Sequence, residues 1–158
     1  MSHALIQNPL PNWYTKKIVG HSDGLQAKTW HWLVALNGAV QLQFPEGAKD
    51  QGLFLMADNG CQPTAVAFMQ ACWAMGITQA FTSYKNPKGN ADTERLMRTL
   101  KEKLVWINEW KSPVEFIEAL EKWVKTYNNE YFHSALHYQT PIAFEQQHSA
   151  HRTQLQTP

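Results

Sequence analysis

Asp58 and Glu94 are the side chains on which a reaction could be built. A continuous apolar run, Leu53-Phe54-Leu55-Met56-Ala57, leads into Asp58-Asn59-Gly60. Further on, Asn90-Ala91-Asp92-Thr93-Glu94-Arg95 opens a helical pattern that carries Arg98 and Lys101. Carboxylate oxygens are hard donors. Two of them, brought together from distant points of a chain, suit Mg²⁺ or Mn²⁺, which keep some waters and take substrate phosphates as further ligands. Two such ions about 3.5–4 Å apart activate an attacking oxygen and stabilise a leaving one in phosphodiester chemistry. Arg98 and Lys101 follow Glu94 at i+4 and i+7, so all three share one helix face. There the two bases could hold the phosphates that flank a scissile bond. The plainer alternative is that Asp58 caps the segment after it and Glu94 is a first-turn acid favoured by the helix dipole. Spacing alone leaves both open.

These side chains need elements to hold them. The run 53–57 suits a strand buried on both faces. Asp58 would then sit at the C-terminal end of that strand, where open α/β sheets hold ligands. At about 100° per residue, Leu96, Leu100, Leu104 and Ile107 fall on the core side of the helix that Asn90 caps, opposite Glu94, Arg98 and Lys101. Between the two acids, 64–75 reads as a helix stopped by Gly76, 77–82 as a short strand, and 83–89, with its Asn, Pro and Gly, as a loop.

Upstream, Trp13 to Gly20 reads as a strand and Asp23-Gly24 as a turn or helix entry. Trp30, Leu33, Val34, Leu36, Val40 and Phe44 predict an amphipathic helix ended by Pro45 and Gly47. Residues 1–12 are expected to be irregular, because Pro9 and Pro11 bracket Leu10 and exclude a central strand. Downstream, Ser112-Pro113-Val114-Glu115 is a capping box with Pro at the first helical position. Its helix should run to about Tyr127, with Phe116, Leu120, Trp123 and Val124 inward. Thr140-Pro141 opens a last short helix through Phe144, and residues 148–158 are expected to be a disordered tail.

The chain has 158 residues, enough for one domain with a sizeable core, and 44% apolar residues with seven Trp favour a packed globule. The formal net charge is only +1, so any nucleic-acid surface must be local. No apolar run reaches the roughly 18 residues of a membrane span, and the N-terminus lacks a basic stretch followed by an apolar one. A cytoplasmic protein with no membrane partner is therefore expected. Cys61 and Cys72 fit free thiols in a reducing compartment better than a disulfide. His133 and His137 could bind Zn²⁺ if helical, but no Cys pair lies near and Ser134 and Leu136 favour packing. Trp106, Trp110 and Trp123 could stack on bases, although core packing is the plainer expectation.

Several segments together resemble the catalytic core of bacterial insertion-sequence transposases, which are related to retroviral integrases. They are Asp58-Asn59-Gly60-Cys61-Gln62, Gly76-Ile77-Thr78-Gln79-Ala80-Phe81-Thr82, Asn86-Pro87-Lys88-Gly89-Asn90-Ala91-Asp92-Thr93-Glu94-Arg95 and Thr99-Leu100-Lys101. Tyr127-Asn128, His133-Ser134-Ala135-Leu136 and Thr140-Pro141 resemble that family's C-terminal signature, and Trp13 to Gly20 resembles the strand before its first helix. The resemblance implies an α/β, ribonuclease-H-like fold: a mixed sheet with flanking helices. Residues 13–147 would form a partial integrase catalytic core. It also implies a site of two Asp and one Glu that binds two Mg²⁺ (or Mn²⁺), nicks a transposon end and joins it to target DNA. By position, Asp58 is the second Asp, Glu94 the Glu, and Lys101 a basic DNA contact.

The pattern is incomplete. The family's first Asp lies on a strand upstream of residue 13, and Asp23, Glu46 and Asp50 all fall past its position. Tyr131 stands where the signature commonly has Arg. The expectation is an N-terminally truncated core that lacks its first strands and is inactive alone. It would act on DNA, as a homo-oligomer or in association with full-length transposase. The competing expectation is a non-catalytic remnant that binds DNA or oligomerises with the intact enzyme.

Overall fold

The computed structural model describes residues 5–6, 9–24, 28–57, 60–82 and 91–155, with 5–6, 23–24 and 150–155 described by backbone alone. In chain order the elements are β1 (Leu5–Ile6), β2 (Leu10–Pro11), β3 (Ile18–Gly20), β4 (Asp23–Gly24), α1 (Thr29–Gln43), β5 (Phe54–Ala57), α2 (Val66–Ala74), β6 (Thr78–Phe81), α3 (Ala91–Leu100), α4 (Pro113–Glu130) and α5 (Pro141–Leu155). A π-helical turn, Lys101–Val105, extends α3, and a 3₁₀ turn, Ser134–Leu136, separates α4 from α5. Among the described residues the strands form three two-stranded ladders: β1 with β4, β2 with β3, and β5 with β6. The chain divides into two compact units, Met1–Leu10 with Val19–Lys103, and Pro11–Ile18 with Leu104–Pro158. No helix of the described residues is long and apolar enough to cross a membrane.

In the first unit, α1 packs on α2 and α2 on β6. Leu36, Phe68, Cys72 and Ile77 form the buried centre, with Trp32, Leu33, Val40, Leu53, Leu55 and Met75 around them. The ring of Trp32 meets Phe68 edge-on at 5.7 Å, an arrangement that suits two aromatic quadrupoles. The fully buried stripe of α1 is His31, Ala35, Leu36 and Ala39; of the bulky set that its spacing predicts, Leu36 is buried and Leu33 and Val40 pack against the core. Trp30 and Val34 are exposed. The cause is backbone proximity: a Cβ on Gly20 of β3 would lie 2.5 Å from the Ala35 carbonyl oxygen and 2.8 Å from the Ala39 Cβ. Only small residues allow that approach.

Strand β5 departs from expectation too. Leu55 and Ala57 face inward, but Phe54 is 74% exposed and Met56 also lies open, so one face only is buried. Pairing with β6 is parallel, with Phe54 opposite Thr78 and Ala57 opposite Phe81. Asp23-Gly24, expected as a turn or helix entry, pairs antiparallel with Leu5–Ile6. The segment 1–12 thus contributes two short strands. Gly76 ends α2 as expected, at φ +71°.

In the second unit, the segment 13–17 is a loop and not part of a strand. Asn12 organises it: its Oδ1 accepts from the Tyr14 and Thr15 amides at 2.9 and 3.1 Å. Its own amide donates to the Lys17 carbonyl, and Lys16 turns through φ 58°. Helix α4 starts at the predicted Ser112 cap, with the return bond of the expected capping box shifted by one residue to Lys111. Ser112 Oγ accepts from the Glu115 amide at 3.2 Å, and the Glu115 carboxylate accepts from the Lys111 amide at 2.9 Å. It runs on to Glu130, with Phe116 and Leu120 buried. Helix α5 continues to Leu155, well past Phe144, so the stretch expected as a disordered tail is helical over most of its length. Ile107 and Trp106, expected in the core, are both exposed because the helix that would carry them inward stops at Val105.

Candidate functional site

Asp58 and Asn59 lie outside the described residues, as do 83–90, but the chain on both sides of Asp58 is closely held. On one side, the Ala57 carbonyl accepts from the Thr82 amide at 3.0 Å, one step beyond the β5–β6 ladder. On the other, Thr64 closes a turn on Gly60, with Oγ1 donating to the Gly60 carbonyl at 2.8 Å. Gln79 Nε2 donates to the Pro63 carbonyl at 3.0 Å and ties that turn to β6. The described part of the parallel pair thus ends at Ala57, the residue before Asp58 in the sequence.

Helix α3 presents the remaining candidates. Leu96 and Leu100 are buried, as is Leu104 in the π-helical turn. Glu94 and Arg98 lie on the opposite, exposed face, one turn and about 6 Å of helix rise apart. Lys101 is half-buried and stands at the point where the α-helix gives way to the wider π turn, so its phase differs from that of a straight helix. The described residues thus bring Glu94 and Arg98 onto one face and set Lys101 at its end. The distance between Glu94 and Asp58 falls outside what they describe.

Residues 75–141 match the family described as Integrase core domain, a span that includes Glu94, Arg98 and Lys101. The transposase for insertion sequence element IS904 of Lactococcus lactis is 29% identical over 99 residues, covering 62% of this chain and 39% of that protein. The insertion element IS136 uncharacterized protein of Agrobacterium fabrum is 26% identical over 106 residues, covering 67% of this chain and 54% of that one. The chain thus spans about half or less of the length of these relatives. Among solved structures, the catalytic core domain of BIV integrase superposes with a TM-score of 0.58 at 21% identity, over 83% of this chain and 80% of that one. The simian T-cell lymphotropic virus intasome, in complex with the PP2A regulatory subunit B56 gamma, gives a TM-score of 0.53 at 17% identity, over 72% of this chain and 38% of that one. At these identities the structural likeness is one of fold. Over residues 75–141 the chain is thus similar to an integrase core, and its fold is the ribonuclease-H-like one of retroviral integrase catalytic cores.

Further features bear on the chemistry open to the chain. Among the described residues, no group of three His, Cys, Asp or Glu is placed to hold a metal ion. Glu94 is a hard oxygen donor of the right kind for Mg²⁺ or Mn²⁺, but the described residues supply it without two companions. His133 and His137 are not on one helix turn: His133 bridges to Gln139 and His137 is left-handed at φ 54°, which removes the i, i+4 geometry that a zinc pair needs. Beneath the strand that leads to Asp58, Cys72 is buried, and burial pushes its thiol up to about 11, against a smaller lowering by a backbone hydrogen bond. It is therefore a packing residue and not a nucleophile. Cys61 is exposed, and both cysteines are free.

Proposed function

We propose that this chain is the DNA-facing part of a transposase catalytic core that performs metal-dependent strand cleavage and transfer in DNA. Asp58 and Glu94 bind Mg²⁺ or Mn²⁺ through their carboxylates. Arg98 and Lys101 neutralise and position the phosphates beside the reacting bond. When bound, the metal supplies Lewis-acid stabilisation of the charge that develops on the attacking and leaving oxygens. The buried leucines of α3 hold its opposite face toward DNA, so Glu94 and Arg98 act from a rigid element. The observation that carries this reading is the exposed Glu94–Arg98 face within the span that matches an integrase core. A DNA substrate places this work in the cytoplasm.

Two carboxylates make an incomplete centre for a two-ion reaction. We therefore assign the 158-residue stretch, taken by itself, weak metal binding and little turnover. A second reading is a non-catalytic element that binds DNA or pairs with intact transposase. It is favoured by the uncharged outer side of α2, where Val66, Met69 and Trp73 are exposed. A calorimetric Mn²⁺ titration separates the two. The first reading requires binding that Glu94→Gln removes. Retained DNA or transposase binding with no Mn²⁺ binding at all would support the second. Strand nicking on terminal repeats of the relatives' elements, abolished by Asp58→Asn, would overturn the assignment of inactivity.

A further inference from the structure

The segment between α4 and α5 carries exposed aromatic side chains beyond those that the metal site needs. Tyr131 is exposed, Phe132 is 67% exposed and Tyr138 is 74% exposed. Tyr131 already stacks on Tyr127, with ring centroids 5.1 Å apart and planes 17° from parallel. Phe132 and Tyr138 turn outward, each next to a residue of the bridged pair His133 and Gln139.

The segment is not loose. His133 donates to the Gln139 carbonyl at 3.1 Å and accepts from the Tyr138 amide at 2.9 Å, while Leu136 is buried beneath. The rings are thus presented from a preorganised backbone, which lowers the entropy lost on binding. Its conformation is also costly. His137 and Tyr138 are consecutive left-handed residues, at φ 54° and 57°. Such positions favour Gly or Asn. A turn needed only to reverse the chain would be met at lower strain by those residues, and strain retained at an exposed position points to use of the side chains. Residues 131–144 hold no Asp, Glu, Lys or Arg, so recognition here falls to the rings and not to charge. An uncharged, ring-bearing surface fits a partner whose own rings are open, and within the DNA reading above that partner is an unpaired base.

We propose that Phe132 and Tyr138 form a stacking platform for unpaired bases of DNA, in addition to the phosphate contacts of α3. The proposal rests on the DNA-processing function assigned above and deepens it: the substrate engaged here is locally single-stranded. Ring faces stack on any base, so the platform is indifferent to sequence.

The test uses the whole chain in EDTA, so the metal site takes no part. Fluorescence anisotropy is measured with a labelled mixed-sequence single-stranded oligonucleotide and with the same sequence as duplex. We expect the single strand to bind more tightly, and Tyr138→Ala or Phe132→Ala to weaken it about five- to tenfold while leaving duplex binding unchanged. Tyr138→Phe keeps the ring and should bind as the parent does. Tyr138→Gly should lose the same affinity as Tyr138→Ala, yet melt no lower, because glycine relieves the left-handed strain; it separates binding from folding. Single-strand affinity unchanged in Tyr138→Gly, or lost equally in Tyr138→Phe, would overturn the platform and leave the function above intact. Failure of the parent chain to bind either form of DNA would overturn both.

Discussion

Asn128 shows how much a single side chain decides. It is buried in α4, and its amide pairs both ways with one residue of β3: Oδ1 accepts from the Ile18 amide at 2.9 Å and Nδ2 donates to the Ile18 carbonyl at 3.0 Å. The side chain acts as a piece of strand, satisfying backbone groups that would otherwise be buried without partners. Lys17 adds an ion pair to Glu145 at 2.6 Å, and Tyr14 packs its ring against Phe144 and His148. The ion pair is partly exposed and so contributes little; the buried amide contributes more. Asn128→Ala should cost about 2–4 kcal/mol, because two backbone groups lose their partners in a dry site. Calorimetric melting measures this. A loss no larger than that of an exposed substitution such as Asn129→Ala would show that water reaches Ile18.

At the scale of elements, β3 and α1 meet through their backbones, and two glycines test this in opposite directions. Gly20 has no room for a methyl group beside Ala35 and Ala39. Gly20→Ala should destabilise by about 1–3 kcal/mol, as overpacking does. Gly38 lies in the interior of α1, with nothing within 4 Å of where a Cβ would stand. Gly38→Ala should therefore stabilise by about 0.5–1 kcal/mol, since alanine loses less backbone entropy in a helix. Urea unfolding of the pair reads both signs at once. Equal effects from the two would mean that β3 does not press on α1. Helix α3 follows the same logic of faces. Its leucines hold one side down, which is why Glu94 and Arg98 are exposed.

The whole molecule carries a formal net charge of only +1, so its long-range field gives DNA little attraction. Affinity must come from local contacts, and those contacts are countable. Each phosphate neutralised by a fixed cation contributes about 0.9 to the slope of log affinity against log salt on duplex DNA. Arg98→Ala and Lys101→Ala should each lower that slope by about one such unit and weaken binding uniformly across sequences. A slope unchanged in both variants would remove α3 from the DNA interface. This readout is independent of the metal and of the aromatic loop, so the three contributions can be assigned separately.

Much of this protein was decided by sequence that acts locally. The cap at Ser112, the stop at Gly76 and the leucine face of α3 depend on neighbours within a turn or two, and the structure has each where local chemistry puts it. The ordered motifs from Asp58 to Pro141 likewise pointed to an integrase core, and residues 75–141 match one, because that pattern is carried by residue types and spacing. Tertiary structure decided what depends on which surfaces meet. The close approach of Gly20 buried Ala35 and Ala39 of α1 beside the expected Leu36, while Trp30 and Val34 of the expected stripe stayed exposed. An open face left Phe54 in solvent on a strand whose apolar run suggested burial on both sides. The left-handed pair at His137 and Tyr138 accompanies the bridge between His133 and Gln139, a pairing that no local sequence pattern announces.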